Sequence, residues 1–267
     1  MPRRELSGAR AILSGASSGI GRALAIEMAR AGVAQVLVAR RADRLAELAG
    51  HVASLGGKVE IVAGDVTDPL VRRRALDAAK ERFGGLDILV NNAGVGATGR
   101  FEQSDEDRLR RVFEVNFFAL AELTRLALPE LKRGVRPLLV NVSSILGHRG
   151  TPWNSEYCAS KFAVHALSEA LRAELAAEGV DVLIVSPGTT ETEFFATPMM
   201  KPAETRWPTH APVSAEYVAR RIVAAMRRGR HEIIPFTLGR VMVYLNRLSP
   251  RFMDWVMARY ARRTPPE

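Results

Sequence analysis

The sequence predicts a doubly wound α/β fold: a seven-stranded parallel sheet with helices on both faces and a helical tail at the C-terminus. Short runs rich in Val, Ile and Leu recur at 10–14, 35–39, 58–63, 86–90, 137–142, 181–186 and 231–234. Between them lie longer stretches with helical periodicity, such as Leu45, Leu48, Val52 and Leu55, or Phe162, Leu167, Leu171 and Leu175. The strand runs are apolar at nearly every position, as strands covered on both faces are, and right-handed crossovers through helices return the chain between parallel neighbours.

At 267 residues, 47% apolar and 25% charged, the chain reads as one soluble globular domain, with its core over about 8–235. The opening MPRRELSGAR has two arginines and no apolar stretch of signal-peptide length, so no export is expected. A single cysteine, Cys158, excludes an internal disulfide and fits a reducing, cytoplasmic setting. The five histidines stand without ligand spacing, and no metal centre is expected. A net charge of +9 comes largely from arginine, as in RRADR at 40–44 and RRR at 72–74. No compact basic and aromatic cluster accompanies it, which argues against a nucleic-acid partner.

The first strand, 10–14, runs straight into SGASSGIG, and a helix over 22–31 follows. Glycine at 15 permits a turn closed to other residues, while Gly19 and Gly21 let an anion approach the backbone and let helix and strand pack closely. Gly15, Ser17, Ser18, Gly19, Ile20 and Gly21 are therefore the candidate phosphate cradle, at the N-terminus of a helix whose amides favour negative charge.

Further motifs follow at the strand ends. Asp65 closes the third run in AGDVTD, and NNAG over 91–94 closes the fourth. Asn116, Ser143-Ser144, Tyr157-x-x-x-Lys161 and Pro187-Gly188 come later. Together these residues resemble the short-chain dehydrogenase/reductase family, over residues 8 to about 235, on a Rossmann-type fold. Ser14 stands where the family usually has threonine, and a hydroxyl is retained. The resemblance implies a carbonyl/alcohol oxidoreductase. Ser144, thirteen residues before Tyr157, would be the catalytic serine, with Tyr157, Lys161 and Asn116 completing the set. It further implies that Lys161 binds the nicotinamide ribose and that Asn116 holds a water linking Lys161 to solvent. Asp65 and Val66 would border the adenine; Asn92, Ala93 and Gly94 would flank the adenosine ribose. Pro187, Gly188 and Thr192 would lie along the nicotinamide side, Thr192 at its amide.

The chemistry of the residues points the same way. Tyr157 and Lys161 are one helical turn apart and share a face. An adjacent ammonium favours phenolate and is expected to lower the tyrosine's pKa toward usefulness in proton transfer. The serine hydroxyl can polarise the same substrate oxygen. Cys158 points elsewhere on the helix and is expected to serve packing.

The second strand ends Ala39-Arg40-Arg41 with no carboxylate to take the ribose hydroxyls of NAD(H). Arginine there suits a 2'-phosphate, so NADP(H) is the expected cofactor, with Arg40 the main determinant and Arg41 a helper.

Substrate is expected outside the carboxyl ends of the strands, among 95–101, 145–153 and a long loop over 189–213 that carries Phe194, Phe195, Met199, Met200 and Trp207. That lining predicts a lipophilic carbonyl or alcohol of steroid, retinoid or long-chain type. His148 and Arg149 either meet a polar group of the substrate or are solvated. A 3-oxoacyl thioester reductase is the alternative enzyme, and a non-catalytic nucleotide sensor or scaffold the alternative of another class. The tail over 239–263 reads as two helical pieces split at Ser249-Pro250, with Val241, Tyr244, Leu245, Leu248, Phe252 and Trp255 interspersed with arginines. Such a tail can cover the pocket, a partner subunit or a membrane surface. The resemblance implies a homodimer or homotetramer, through helices around 104–133 and 155–179.

Overall fold

The computed structural model describes residues 4–191, 193 and 212–263, the side chain of Arg263 excepted. Among the described residues nine strands run in chain order: β1 (Arg10–Ser14), β2 (Ala34–Ala39), β3 (Val59–Ala63), β4 (Ile88–Asn91), β5 (Leu138–Val142), β6 (Asp181–Val185), β7 (Thr190–Glu191), β8 (Val213–Ser214) and β9 (Glu232–Ile233). Seven of them form one parallel sheet in the order β3-β2-β1-β4-β5-β6-β9. The remaining pair, β7 and β8, is a separate two-stranded parallel ribbon inside what reads from sequence as a plain loop. Its strands are two residues each, below the length at which alternation or apolar runs carry a signal.

The main helices are α1 (Gly19–Arg30), α2 (Ala42–Ser54), α3 (Pro69–Phe83), α4 (Glu106–Phe113), α5 (Ala119–Leu131), α6 (Ser155–Glu174), α7 (Ala215–Arg227), α8 (Thr237–Leu248) and α9 (Pro250–Arg263). Helices α1, α2 and α7 cover one face of the sheet, burying Leu24, Met28, Leu45, Leu48, Val52 and Ile222. Helices α3, α5 and α6 cover the other, with Val71, Ala75, Leu123 and Ala127 against Ile12, Leu89 and Leu139. Each fully buried Leu, Ile or Val contributes about 1.5–3 kcal/mol relative to exposure. The helix ends follow local chemistry. Asp68 caps α3 by accepting from the Leu70 amide at 2.8 Å, Pro69 opens the helix, and Gly84 ends it at φ 77°.

Strand order reverses between β1 and β4, so the crevice for a ligand lies at their carboxyl ends. The glycine turn follows β1, NNAG closes β4, and Ser144 follows the neighbouring β5.

Candidate active site

The glycine turn is built against the NNAG segment. Ser14 Oγ accepts from the amides of Asn92 at 3.1 Å and Ala93 at 3.2 Å, and Asn92 Nδ2 donates to the carbonyls of Ser14 and Gly15 at 3.1 Å each. Serine thus does what this position needs, an acceptor hydroxyl at the end of β1. A Cβ on Gly15, which sits at φ 69°, would fall 2.8 Å from the Ala93 backbone; on Gly21 it would fall 2.1 Å from the Gly15 carbonyl oxygen. Helix and strand touch too closely here for any side chain. Helix α1 begins after Ser18 with no side-chain cap and no acidic residue in its first turn. Its first amides are thereby left to an external anion, and the residues fit the pyrophosphate of a dinucleotide.

At the end of β2 the arginines divide. Arg40 is exposed, whereas Arg41 turns to the glycine segment and donates to Ser17 Oγ at 3.1 and 3.3 Å. Arg41 also pairs with Glu193 at 2.7 Å, and Arg44 pairs with the same carboxylate at 2.5 Å. From sequence Arg40 is the main determinant and Arg41 its helper; in the structure it is Arg41 that bonds the glycine segment. Asp65, at the end of β3, accepts from Thr67 and pairs with Arg111 at 3.1 Å. Burial alone would raise its pKa, but the Thr67 hydrogen bonds and Arg111 outweigh that and hold it below the usual carboxylate value. Val66 is buried beside it.

Beyond β5, the two serines part ways. Ser143 is buried and donates to the Lys161 carbonyl at 3.0 Å, a structural bond. Ser144 starts a short 3₁₀ turn (Ile145–Gly147), accepts from the Leu146 amide at 3.2 Å, and hydrogen-bonds the Tyr157 hydroxyl. Lys161, one turn along α6, is buried; its Nζ donates to the Val142 carbonyl at 3.0 Å and lies 5.7 Å from the centre of the Tyr157 ring. Burial pushes the Lys161 ammonium down to about 8.

Tyr157 differs from the sequence expectation. Desolvation is the largest influence on it and raises its pKa above the ordinary 10, outweighing the Ser144 hydrogen bond. The phenol is therefore held protonated at neutral pH. Cys158 is buried, its thiol pushed up by burial, and takes a long contact of 3.5 Å from the Thr151 amide.

Asn116 lies in a π-turn (Glu114–Phe118) set between α4 and α5, the kind of insertion that redirects a side chain. It is fully buried, accepts from the Val95 amide at 2.8 Å, and donates to the Val95 carbonyl and Ser160 Oγ at 3.0 Å each. A Cβ on Gly94 would stand 3.3 Å from Asn116 Oδ1 and 3.5 Å from Lys161 Nζ, so NNAG, the π-turn and α6 close on one point. Pro187 accepts from the Ile145 amide at 3.0 Å, and Gly188 passes under the Phe236 ring, where a Cβ would meet Cδ1 at 2.9 Å. Thr192, with Phe194, Phe195, Met199, Met200 and Trp207, lies outside the described residues.

Two expectations about the loop after β5 are corrected. His148 does not face solvent or an approaching ligand: its Nε2 is 2.9 Å from Glu232 Oε1, and its ring packs against His165. Arg149 pairs with Asp254 at 2.5 Å and donates to Asn246 Oδ1 at 3.1 Å, while Asn246 Nδ2 donates to the His148 carbonyl at 3.1 Å. The tail is thus clasped to the loop that follows Ser144. Its buried side is Val243, Met253 and Met257; Val241, Tyr244, Leu248, Phe252 and Trp255 point outward. The histidines look scattered in the sequence, because 17 and 67 residues separate the three groups His148, His165 and Glu232 that the fold brings together.

Known proteins share this fold and family. The model of the short chain dehydrogenase family matches residues 9–201. The chain belongs to the short-chain dehydrogenase/reductase family. A ketoacyl reductase of Nostoc sp. is 31% identical over 256 residues, covering 93% of this chain and 88% of that protein. An 11-beta-hydroxysteroid dehydrogenase of Sesamum indicum is 32% identical, covering 98% of this chain and 78% of its own length. Among solved structures, a short-chain dehydrogenase/reductase from Burkholderia phymatum in complex with NAD superposes with a TM-score of 0.85 at 27% identity, covering 94% of this chain and 96% of that one. One from Burkholderia cenocepacia in complex with NADP gives 0.77 at 29%, covering 86% and 97%. The fold and the oxidoreductase family are common to all of them. No helix among the described residues is long and apolar enough to cross a membrane.

Proposed function

We propose that this chain, acting as one domain, is an NADP(H)-dependent oxidoreductase that interconverts a lipophilic carbonyl compound and its secondary alcohol. The observation that carries this reading is the Ser144–Tyr157 hydroxyl pair with Lys161 one turn away, beside the switch point of the sheet. A nicotinamide cofactor, when bound, supplies or accepts the hydride. Ser144 and Tyr157 both address one substrate oxygen, Ser144 polarising it and Tyr157 holding the proton that the oxygen gains or loses. A phenol kept protonated by burial is ready as the acid for carbonyl reduction.

Gly15, Ser17, Ser18, Gly19, Ile20 and Gly21 hold the pyrophosphate in this reading. Asp65 and Val66 border the adenine, Asn92 to Gly94 the ribose side, and Pro187, Gly188 and Thr192 the nicotinamide side. Preference for NADP(H) is supported by the lack of a carboxylate at the end of β2 and by the guanidinium groups of Arg41 and Arg44, which hold one carboxylate, Glu193, between them. A planar fork that grips a carboxylate suits a 2'-phosphate equally well. Asn116 supports Lys161 by fixing Val95 and Ser160 around it.

A second reading, 3-oxoacyl thioester reduction, is favoured by the similarity to the Nostoc ketoacyl reductase. Steady-state rates with NADPH and NADH, across free steroid, retinoid and aliphatic ketones and 3-oxoacyl thioesters, separate the possibilities. The proposal expects NADPH to be preferred and a free lipophilic ketone to be the best substrate; faster turnover of the thioester transfers the assignment to the second reading.

A further inference from the structure

The geometry points to a metal site, for a borderline divalent cation of the zinc class, formed by His148, His165 and Glu232 behind the catalytic loop. Among the described residues these are the three side chains of ligand type whose donor atoms converge, all within 4.8 Å of one another. His148 Nε2 lies 2.9 Å and His165 Nε2 3.3 Å from the same carboxylate oxygen, Glu232 Oε1. A tetrahedral ion with bonds of about 2.0–2.1 Å holds its donors roughly 3.3 Å apart, so small side-chain shifts seat one ion among the three. Two imidazoles and a carboxylate are a zinc-type donor set, and they come from three separate elements: the loop after β5, α6 and β9.

The surroundings supply what a bound ion needs. Metal-binding imidazoles usually give their second nitrogen to a carboxylate, which fixes the ring and strengthens the donor. For His165 the candidate partner is Glu169, one helical turn on: its Oε1 lies 3.6 Å from Nδ1, an ion-pair distance that a shift of a few tenths of an ångström turns into a hydrogen bond. Ser186 Oγ lies 3.1 Å from His148 Nε2 and 3.5 Å from Glu232 Oε1, leaving a polar fourth side for a water or hydroxyl ligand. Both histidine rings are buried, yet Glu232 is about one-quarter exposed, which gives an ion a way in. Arg247 of α8 is 3.9 Å from Glu232 Oε2.

The site has a structural purpose. His148 is four residues after Ser144 and His165 four after Lys161. An ion there pins the segments carrying two of the catalytic groups to the edge strand and, through the His148 carbonyl bonded to Asn246, to the tail.

The test uses the full-length, tag-free chain, stripped with a chelator and titrated with Zn²⁺ alone, with Co²⁺ as an optical substitute. The expected result is one Zn²⁺ per chain by elemental analysis and a Co²⁺ spectrum with the intense visible bands of four-coordination. Dissociation constants should weaken at least about tenfold in Glu232→Gln and His165→Asn, and roughly tenfold in Glu169→Gln, whose carboxylate only orients the ring. His231→Ala, at an exposed neighbour, should bind as the wild type does. Failure of the wild-type chain to bind stoichiometric Zn²⁺ overturns the inference, and so does binding that Glu232→Gln and Glu169→Gln leave unchanged in proteins shown to be folded by circular dichroism. In either case the three groups form a hydrogen-bonded cluster and nothing more.

Discussion

The Ser144 hydroxyl hydrogen-bonds the Tyr157 hydroxyl, joining the end of β5 to the first turn of α6. In the proposed reaction the two hydroxyls address one substrate oxygen, and each can be removed singly. Ser144→Ala should lower kcat by about 10²–10³-fold, the usual effect of deleting one donor to a developing oxyanion. The KM for the nicotinamide cofactor should change little, since the proposal sets Ser144 on the substrate oxygen; initial-rate kinetics over both substrates checks this.

Arg41, bonded to Ser17 and Glu193, should matter for NADPH and not for NADH. Arg41→Ala removes charge-assisted hydrogen bonds worth about 1.5–3 kcal/mol, or roughly 10–150-fold in kcat/KM for NADPH. Arg40→Ala, at an exposed position, should cost less. Glu193→Gln removes a carboxylate that competes for the same guanidinium groups and should lower the KM for NADPH. Equal effects of Arg41→Ala on both cofactors would remove the 2'-phosphate role.

Gly21→Ala should abolish cofactor binding and destabilise the fold together, because its Cβ would overlap the Gly15 carbonyl at 2.1 Å. Gly150→Ala, where nothing lies within 4 Å of the added carbon, is the contrasting control and should bind cofactor as the wild type does. Tryptophan fluorescence quenching by NADPH and thermal unfolding read both effects.

Lys161 gives the cofactor-free protein a specific pH signature. Its pKa falls from 10.5 in the unfolded chain to about 8 in the fold, so between those values the unfolded chain binds more protons. Stability contributed by this group therefore rises with pH from about 8 toward 10, on the order of 2 kcal/mol. Above 10 the raised pKa of Tyr157 acts oppositely, because the unfolded tyrosine ionises first. Lys161→Met should flatten the rise between pH 8 and 10 in urea unfolding curves; an identical slope in the variant would show that the lysine is not desolvated.

Much of this was legible because it is local. The apolar runs mark the sheet strands to within two residues, since a strand covered on both faces is apolar at most positions, with Gln35 of β2 and Asn141 of β5 as buried exceptions. The glycine turn, NNAG and Tyr157-x-x-x-Lys161 are short-range spacings that survive any folding detail. What stayed hidden depends on distance in the chain. Glu232 reaches His165 across 67 residues, and Arg149 reaches Asp254 across 105. The sequence also displays the lysine beside Tyr157 but not the protein packed around the phenol, so the expected direction of the tyrosine's pKa was reversed. The π-turn carrying Asn116 has no composition signal, because it is one extra residue in an otherwise helical stretch.

The most direct measurement is NADPH oxidation at saturating lipophilic ketone by the wild-type chain and Tyr157→Phe, alongside NADPH affinity for both. The account predicts a fall in kcat of at least about 100-fold, the usual contribution of a positioned acid, with NADPH affinity unchanged. Comparable turnover by the two proteins would contradict it and remove Tyr157 from the chemistry.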